Sequence, residues 1–225
     1  MTLEQVDILF KLIAFLFAIS IHESAHAWMA NRCGDPTARM LGRISLNPIR
    51  HIDPVGTILL PAIAMYYHLP VLGWAKPTPV DTRNFKNPVQ DDILTTLAGP
   101  VSNFIVATAA AIALAAIALI APGGRAVVAG VLTGLMFSDS LFVPVCLFLY
   151  ELMAINIVLG VFNLIPVPPL DGSHVLRHFL SEPVRRAYDT MGIFGLMALV
   201  FLAPSLLGKL IYPVLGLYRS VLLKI

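Results

Sequence analysis

Three ionisable residues fall within five positions at His22, Glu23 and His26, in the string IHESAHAW. On a helix, residues four apart lie about 40° from one another, so both imidazoles project from one side. Neutral imidazole is a common zinc ligand, and two on one helix face can share an ion. Glu23 adjoins the first histidine, where a carboxylate can act as general base toward a water that the ion makes acidic. The plainer reading is coincidence, with each histidine satisfied by a neighbouring helix. Three ionisable groups in five apolar-flanked positions fit that reading poorly, because each is costly to place in lipid.

A catalytic zinc ion takes three protein ligands and keeps a fourth position open, so a third ligand must come from elsewhere in the chain. His51, Asp53, His68, Asp139, Glu151, Asp171 and His174 are the candidates. Asp171 stands out because PVPPL precedes it and must break the helix before it. A broken helix at membrane depth is tolerated where it is buried in protein or lines a cavity. The alternative is that PPLDG is only a turn with Asp-Gly at its corner.

The elements that must position these groups are membrane helices. Of 225 residues, 58% are hydrophobic and 12% charged, about half the charged share of a soluble domain. Mean hydropathy is +0.83. Helices are expected at about 6–30, 93–121, 141–164 and 191–208, with a last one at 209–223. A weaker apolar stretch covers 126–137, and the whole chain, 1–225, reads as one integral-membrane domain. Met1 to Asp7 carries no basic residue, so the first apolar run reads as a retained helix rather than a cleaved signal. Arg32, Arg39, Arg43 and Arg50 follow that helix, which puts the loop in the cytoplasm and the N-terminus outside. The scattered basic residues lack interleaved aromatics and argue against nucleic-acid binding. Cys33 and Cys146 form no CxxC pair and read as packing residues.

HESAH in the first helix, GWAKPTPV in the middle, LAGPVSN opening the next helix and NLIPVPPLDG near the end resemble the site-2 proteases. These are the intramembrane zinc peptidases of family M50, and the likeness runs from about Ile8 to Arg177. HExxH alone is moderately specific, whereas its conjunction with NxxPxPxLDG is highly specific. The resemblance implies an all-α polytopic fold with a site-2-protease helix bundle and a short extended or re-entrant segment at 53–80. It implies one zinc ion per chain held by His22, His26 and Asp171, with Glu23 as general base. Asn163 matches the asparagine that supports substrate or transition state. The expected activity is zinc-dependent endopeptidase cleavage of transmembrane protein substrates in or near their spans, from a multi-pass protein of the cell membrane whose active site lies toward the cytoplasm. The chain lacks the PDZ insertion and the CBS domains of some members and looks like a minimal core.

That ligand set constrains the path of the chain. His26 and Asp171 must share one membrane depth, so an even number of crossings separates them. The helices at 93–121 and 141–164 supply two, and Asp53–Tyr67 is therefore expected not to span. Ala75–Val80 could be an edge strand that pairs with an unfolded stretch of substrate, or a mere connector. Asn103 is expected to hydrogen-bond between helices rather than line a groove. His174 reads as a neighbour of the site or a surface residue, and Glu151 has no evident partner. Two other functions compete: a transporter or channel with a metal-ion path, and a non-catalytic zinc-binding scaffold. The first predicts inverted repeats, which are absent from the sequence; the second has no use for Glu23.

Overall fold

A computed structural model of the chain describes residues 3–60, 63, 66, 67, 74–135 and 140–225. Eight α-helices follow one another among these residues: α1 Leu3–Cys33, α2 Thr37–Met40, α3 Pro88–Ile120, α4 Gly124–Thr133, α5 Phe142–Asn163, α6 Asp171–Arg177, α7 Glu182–Leu202 and α8 Pro204–Leu223. No strand is present among them. Four stretches are long and apolar enough to cross a membrane: Gln5–Cys33 of α1, and the whole of α3, α5 and α8. At 1.5 Å per residue even the 20 residues of α8 reach about 30 Å, the thickness of a hydrocarbon core. The protein is an all-α polytopic membrane protein. Two of the four candidate spans, α3 and α5, lie between His26 and Asp171 in the chain. The α4 helix, with 10 residues, is too short to cross. Asp53–Tyr67, expected not to span, opens with a π-helical turn at Pro54–Leu59, and much of the rest lies outside the described residues.

Two compact units divide the chain, Met1–Ala18 with Pro100–Ile225, and Ile19–Gly99. In the first, Ala107, Ala110, Leu114 and Ala118 form a buried stripe along α3 at intervals of three and four residues. They pack with Val128 and Leu132 of α4 and Met153 and Ile157 of α5. Lipid tails are as apolar as leucine, so helices associate through close van der Waals packing and interhelical hydrogen bonds. The small alanines permit the first. The second is supplied by Asn103 Nδ2, which donates to Asn156 Oδ1 at 2.8 Å, with both residues fully buried. Asn103 thus joins α3 to α5, as its amide in an apolar helix suggested. Cys146 packs in the same cluster.

Proline and glycine punctuate the later helices. Gly192 breaks the regularity of α7 with φ 45°. At Ala203 the chain leaves helical geometry and Pro204 opens α8, where a missing N–H costs nothing.

The second unit is tied together by one carboxylate. Asp35, fully buried, accepts from the Thr37 amide at 3.1 Å, its hydroxyl at 2.5 Å, the Asp81 amide at 2.8 Å and Asn84 Nδ2 at 2.9 Å. Burial alone would raise the Asp35 pKa, but the donors prevail and hold it below the usual carboxylate range. This clamp fastens residues 81–84 to the end of α1, where Cys33, Ala30 and Phe85 form a small buried cluster. Gly34 makes the approach feasible. Its φ is 114°, and a Cβ there would lie 2.8 Å from the Asn84 carbonyl oxygen.

Candidate metal centre

His22 and His26 belong to a row of buried residues winding along α1 at four-residue steps, Ala14, Ala18, His22, His26 and Ala30. Small neighbours on the row leave the imidazoles room to lie against protein. The two Nε2 atoms are 3.0 Å apart, and the ring planes stand at 84°. His26 Nδ1 is 2.7 Å from the Thr95 carbonyl oxygen. A carbonyl can only accept, so Nδ1 carries the proton, and the neutral ring in that tautomer keeps its lone pair at Nε2. Such a bond to the far nitrogen fixes tautomer and ring orientation in metal-ligating histidines.

Gly99, one helical turn after Thr95 on α3, faces the same pair. A Cβ built on it would fall 2.3 Å from His26 Nε2 and 2.6 Å from His22 Cε1. Only a hydrogen fits. A glycine inside a helix costs about 0.5–1 kcal/mol against alanine, and here it keeps clear the space beside the two imidazole rings.

This donor set fits a zinc ion. Two nitrogens, each about 2.0–2.1 Å from one tetrahedral ion, would be roughly 3.3 Å apart, close to the spacing here.

Glu23 is held from a segment 55 residues away. Thr78 donates to Glu23 Oε2 from its amide at 3.0 Å and from its hydroxyl at 2.7 Å; the same hydroxyl lies 3.1 Å from the Glu23 carbonyl oxygen.

Residues 74–80 are neither helical nor paired in a ladder. Alternate amides point inward, Trp74 N to Gly56 O, Lys76 N to His51 O and Thr78 N to Glu23. Between them Pro77 and Pro79 have no N–H, so the outward edge is poor in donors. Ala75–Val80, read as either an edge strand or a connector, is a non-helical segment held by these hydrogen bonds.

The remaining candidates sort by what their atoms already do. His51, 1% exposed, bonds through Nε2 to the Ser45 carbonyl oxygen at 2.7 Å. Asp53 caps the turn that follows it, accepting from the amides of Val55 and Gly56. Asp53 is thus engaged in local structure, whereas the buried Nδ1 of His51 has no hydrogen-bond partner among the described residues. His174 is exposed, and His68 and Asp139 lie outside the described residues.

Asp171 opens α6 in the other unit, where the chain turns sharply after α5. Gly172 permits that turn, because a Cβ there would meet the Leu164 carbonyl oxygen at 2.2 Å. Asn163 is the last residue of α5, half-buried, with Nδ2 donating back to the Leu159 carbonyl oxygen at 3.0 Å. A primary amide has two protons, so one is left to donate elsewhere.

Sequence reasoning missed Thr78, Thr95 and Gly99. Two of them stand inside strings already singled out, GWAKPTPV and LAGPVSN. A glycine before a proline inside an apolar helix was the available signal for Gly99. Thr95 acts through its backbone and left none.

Comparison with known proteins agrees with the geometry. The model of "Peptidase family M50" matches residues 10–203. The chain is similar to the protein called "Putative zinc metalloprotease YwhC" of Bacillus subtilis (strain 168). The two are 35% identical over 217 residues, covering 96% of this chain and 90% of that one. It is also similar to "Putative zinc metalloprotease Rip2" of Mycobacterium tuberculosis (strain H37Rv), 30% identical over 208 residues, covering 86% of this chain and 67% of that protein. No solved structure matches. With motif, site and family model in agreement over most of its length, the chain belongs to peptidase family M50.

Proposed function

We propose that the protein is an intramembrane zinc metalloprotease that hydrolyses peptide bonds in or near the transmembrane segments of membrane protein substrates. The observation that carries this reading is the pair of imidazoles, 3.0 Å apart at Nε2, with His26 fixed by Thr95 and a carboxylate on the next residue to His22. A purely structural metal site needs no such base.

His22 and His26 would hold the ion, with Asp171 as third ligand, as the match to the LDG aspartate implies; Asp53 caps a local turn instead. When bound, zinc supplies Lewis acidity, which polarises the scissile carbonyl and makes a water acidic enough to attack near neutral pH. Glu23 accepts the proton of that water and delivers it to the leaving nitrogen. The spare amide proton of Asn163 donates to the developing oxyanion, an interaction worth about 3 kcal/mol in the transition state when well aligned. A helical substrate hides its amides, so the substrate must unwind locally to present an extended bond. Water must reach the site, and the basic residues of the loop after α1 support an entrance on the cytoplasmic side, with the N-terminus outside.

Incubating detergent-purified protein with a labelled single-span substrate, with and without a zinc chelator, tests the reading. Cleavage that the chelator abolishes and zinc restores is the expected result. Chelator-dependent metal transport without cleavage would favour a transporter, and bound zinc with neither activity a scaffold. Glu23→Gln should keep zinc and lose cleavage, whereas Asp171→Ala should lower zinc content. Full zinc occupancy in Asp171→Ala would assign the third ligand elsewhere.

A further inference from the structure

Arg43 is a buried cation, 5% exposed, with no ion pair among the described residues. Burying a guanidinium is costly even with the Glu23 charge nearby, and its protons must find acceptors. Those on the two Nη atoms find main-chain oxygens, while buried Nε has no partner among the described residues. Nη1 donates to the Arg50 carbonyl at 2.5 Å, and Nη2 donates to the carbonyls of Lys76 and, at 3.1 Å, Pro77. His51 completes the brace, since its carbonyl accepts from the Lys76 amide at 2.8 Å. Lys76 and Pro77 thus cannot drift, and the next residue is Thr78, whose amide and hydroxyl both grip Glu23 Oε2.

This arrangement suits a general base. A free glutamate samples several rotamers, of which few aim the carboxylate at one water. Two donors on a single oxygen fix the plane of the carboxylate and leave Oε1, which has no hydrogen bond among the described residues, to receive a proton. We propose that Thr78 is a positioning residue for Glu23, held in place by Arg43 through the carbonyls of Lys76 and Pro77. The inference rests on the proteolytic reading above and assigns it two residues outside the ligand and base set.

The test measures cleavage kinetics and zinc content together. Thr78→Val keeps size and amide but loses the hydroxyl. It should lower kcat about ten- to a hundredfold, as loss of a hydrogen bond to a charged group implies. KM should stay within about twofold and zinc at the level of the unaltered protein, because substrate and metal contacts are untouched. Thr78→Ser, which restores the hydroxyl, should recover kcat to within about threefold. Unchanged kcat in Thr78→Val, failure of Thr78→Ser to recover it, or a fall in zinc content matching the fall in rate would each overturn the proposal. Arg43→Lys, whose single nitrogen cannot span all three carbonyls, should lower kcat, and lower it less when Thr78→Val is already present. Independent, multiplicative losses would overturn the Arg43 link; Arg43→Gln serves the same cycle if the lysine variant does not fold. Absence of cleavage by the unaltered protein would refute the proteolytic reading instead, which keeps the two failures apart.

Discussion

Replacing Gly99 by alanine adds one methyl group at the most crowded point of the metal centre. The new Cβ would lie 2.3 Å from His26 Nε2 and 2.6 Å from His22 Cε1. An ordinary carbon contact needs about 3.5 Å, so something must give by roughly 1 Å. Either the imidazoles swing away, or α3 retreats and stretches the 2.7 Å bond from His26 to the Thr95 carbonyl. Metal sites tolerate ligand displacements of about 0.2 Å. Zinc affinity should therefore fall by at least the 10–100-fold seen when a supporting partner is lost, and cleavage with it. Overpacking should cost a further 1–3 kcal/mol or so of stability. The sign is diagnostic, because glycine to alanine inside an unencumbered helix stabilises by about 0.5–1 kcal/mol. Gly216 on α8 provides that control, since a Cβ there meets nothing within 4 Å. Zinc retention during titration with a competing chelator, read by metal analysis beside thermal unfolding, is the assay. A Gly99→Ala protein that keeps zinc and stability as Gly216→Ala does would refute the cradle.

Two further predictions concern the unit that carries the histidines. Asp35→Ala strands four donors and should destabilise by roughly 2–4 kcal/mol. Since its folded pKa lies below the unfolded value, the stability that Asp35 contributes is present above about pH 4 and lost as pH falls through the folded pKa. Thermal unfolding of the two proteins should therefore converge in acid, and a constant gap would count against the clamp. His51 behaves as a base whose pKa burial depresses, with the Arg43 charge lowering it further and the Ser45 carbonyl and Glu23 acting the other way. Below about pH 6.5 the unfolded chain binds a proton that the folded chain resists, so stability declines there. His51→Gln should flatten that decline, and an identical slope in both proteins would remove His51 as its source.

Much of this protein is written locally. Four-residue spacing alone puts His22 and His26 on one helix face, because helical geometry is set by the backbone. The candidate spans follow from runs of apolar residues, which respond to the bilayer one helix at a time. Asn103 could be read as an interhelical donor because a lone amide in lipid has few other ways to be satisfied.

What surrounds the histidines was decided by tertiary structure. Thr95 fixes the tautomer of His26 through a carbonyl, a group that every residue possesses and that leaves no mark in the sequence. Gly99 is unremarkable until its neighbours are known, since the space a glycine leaves is meaningful only for the atoms that fill it. Thr78 reaches Glu23 across 55 positions. Residue type and spacing declare which groups can bind a metal and move a proton. Which hydrogen bonds and close approaches hold those groups to the task depends on contacts between segments distant in sequence, and only the folded chain brings these together.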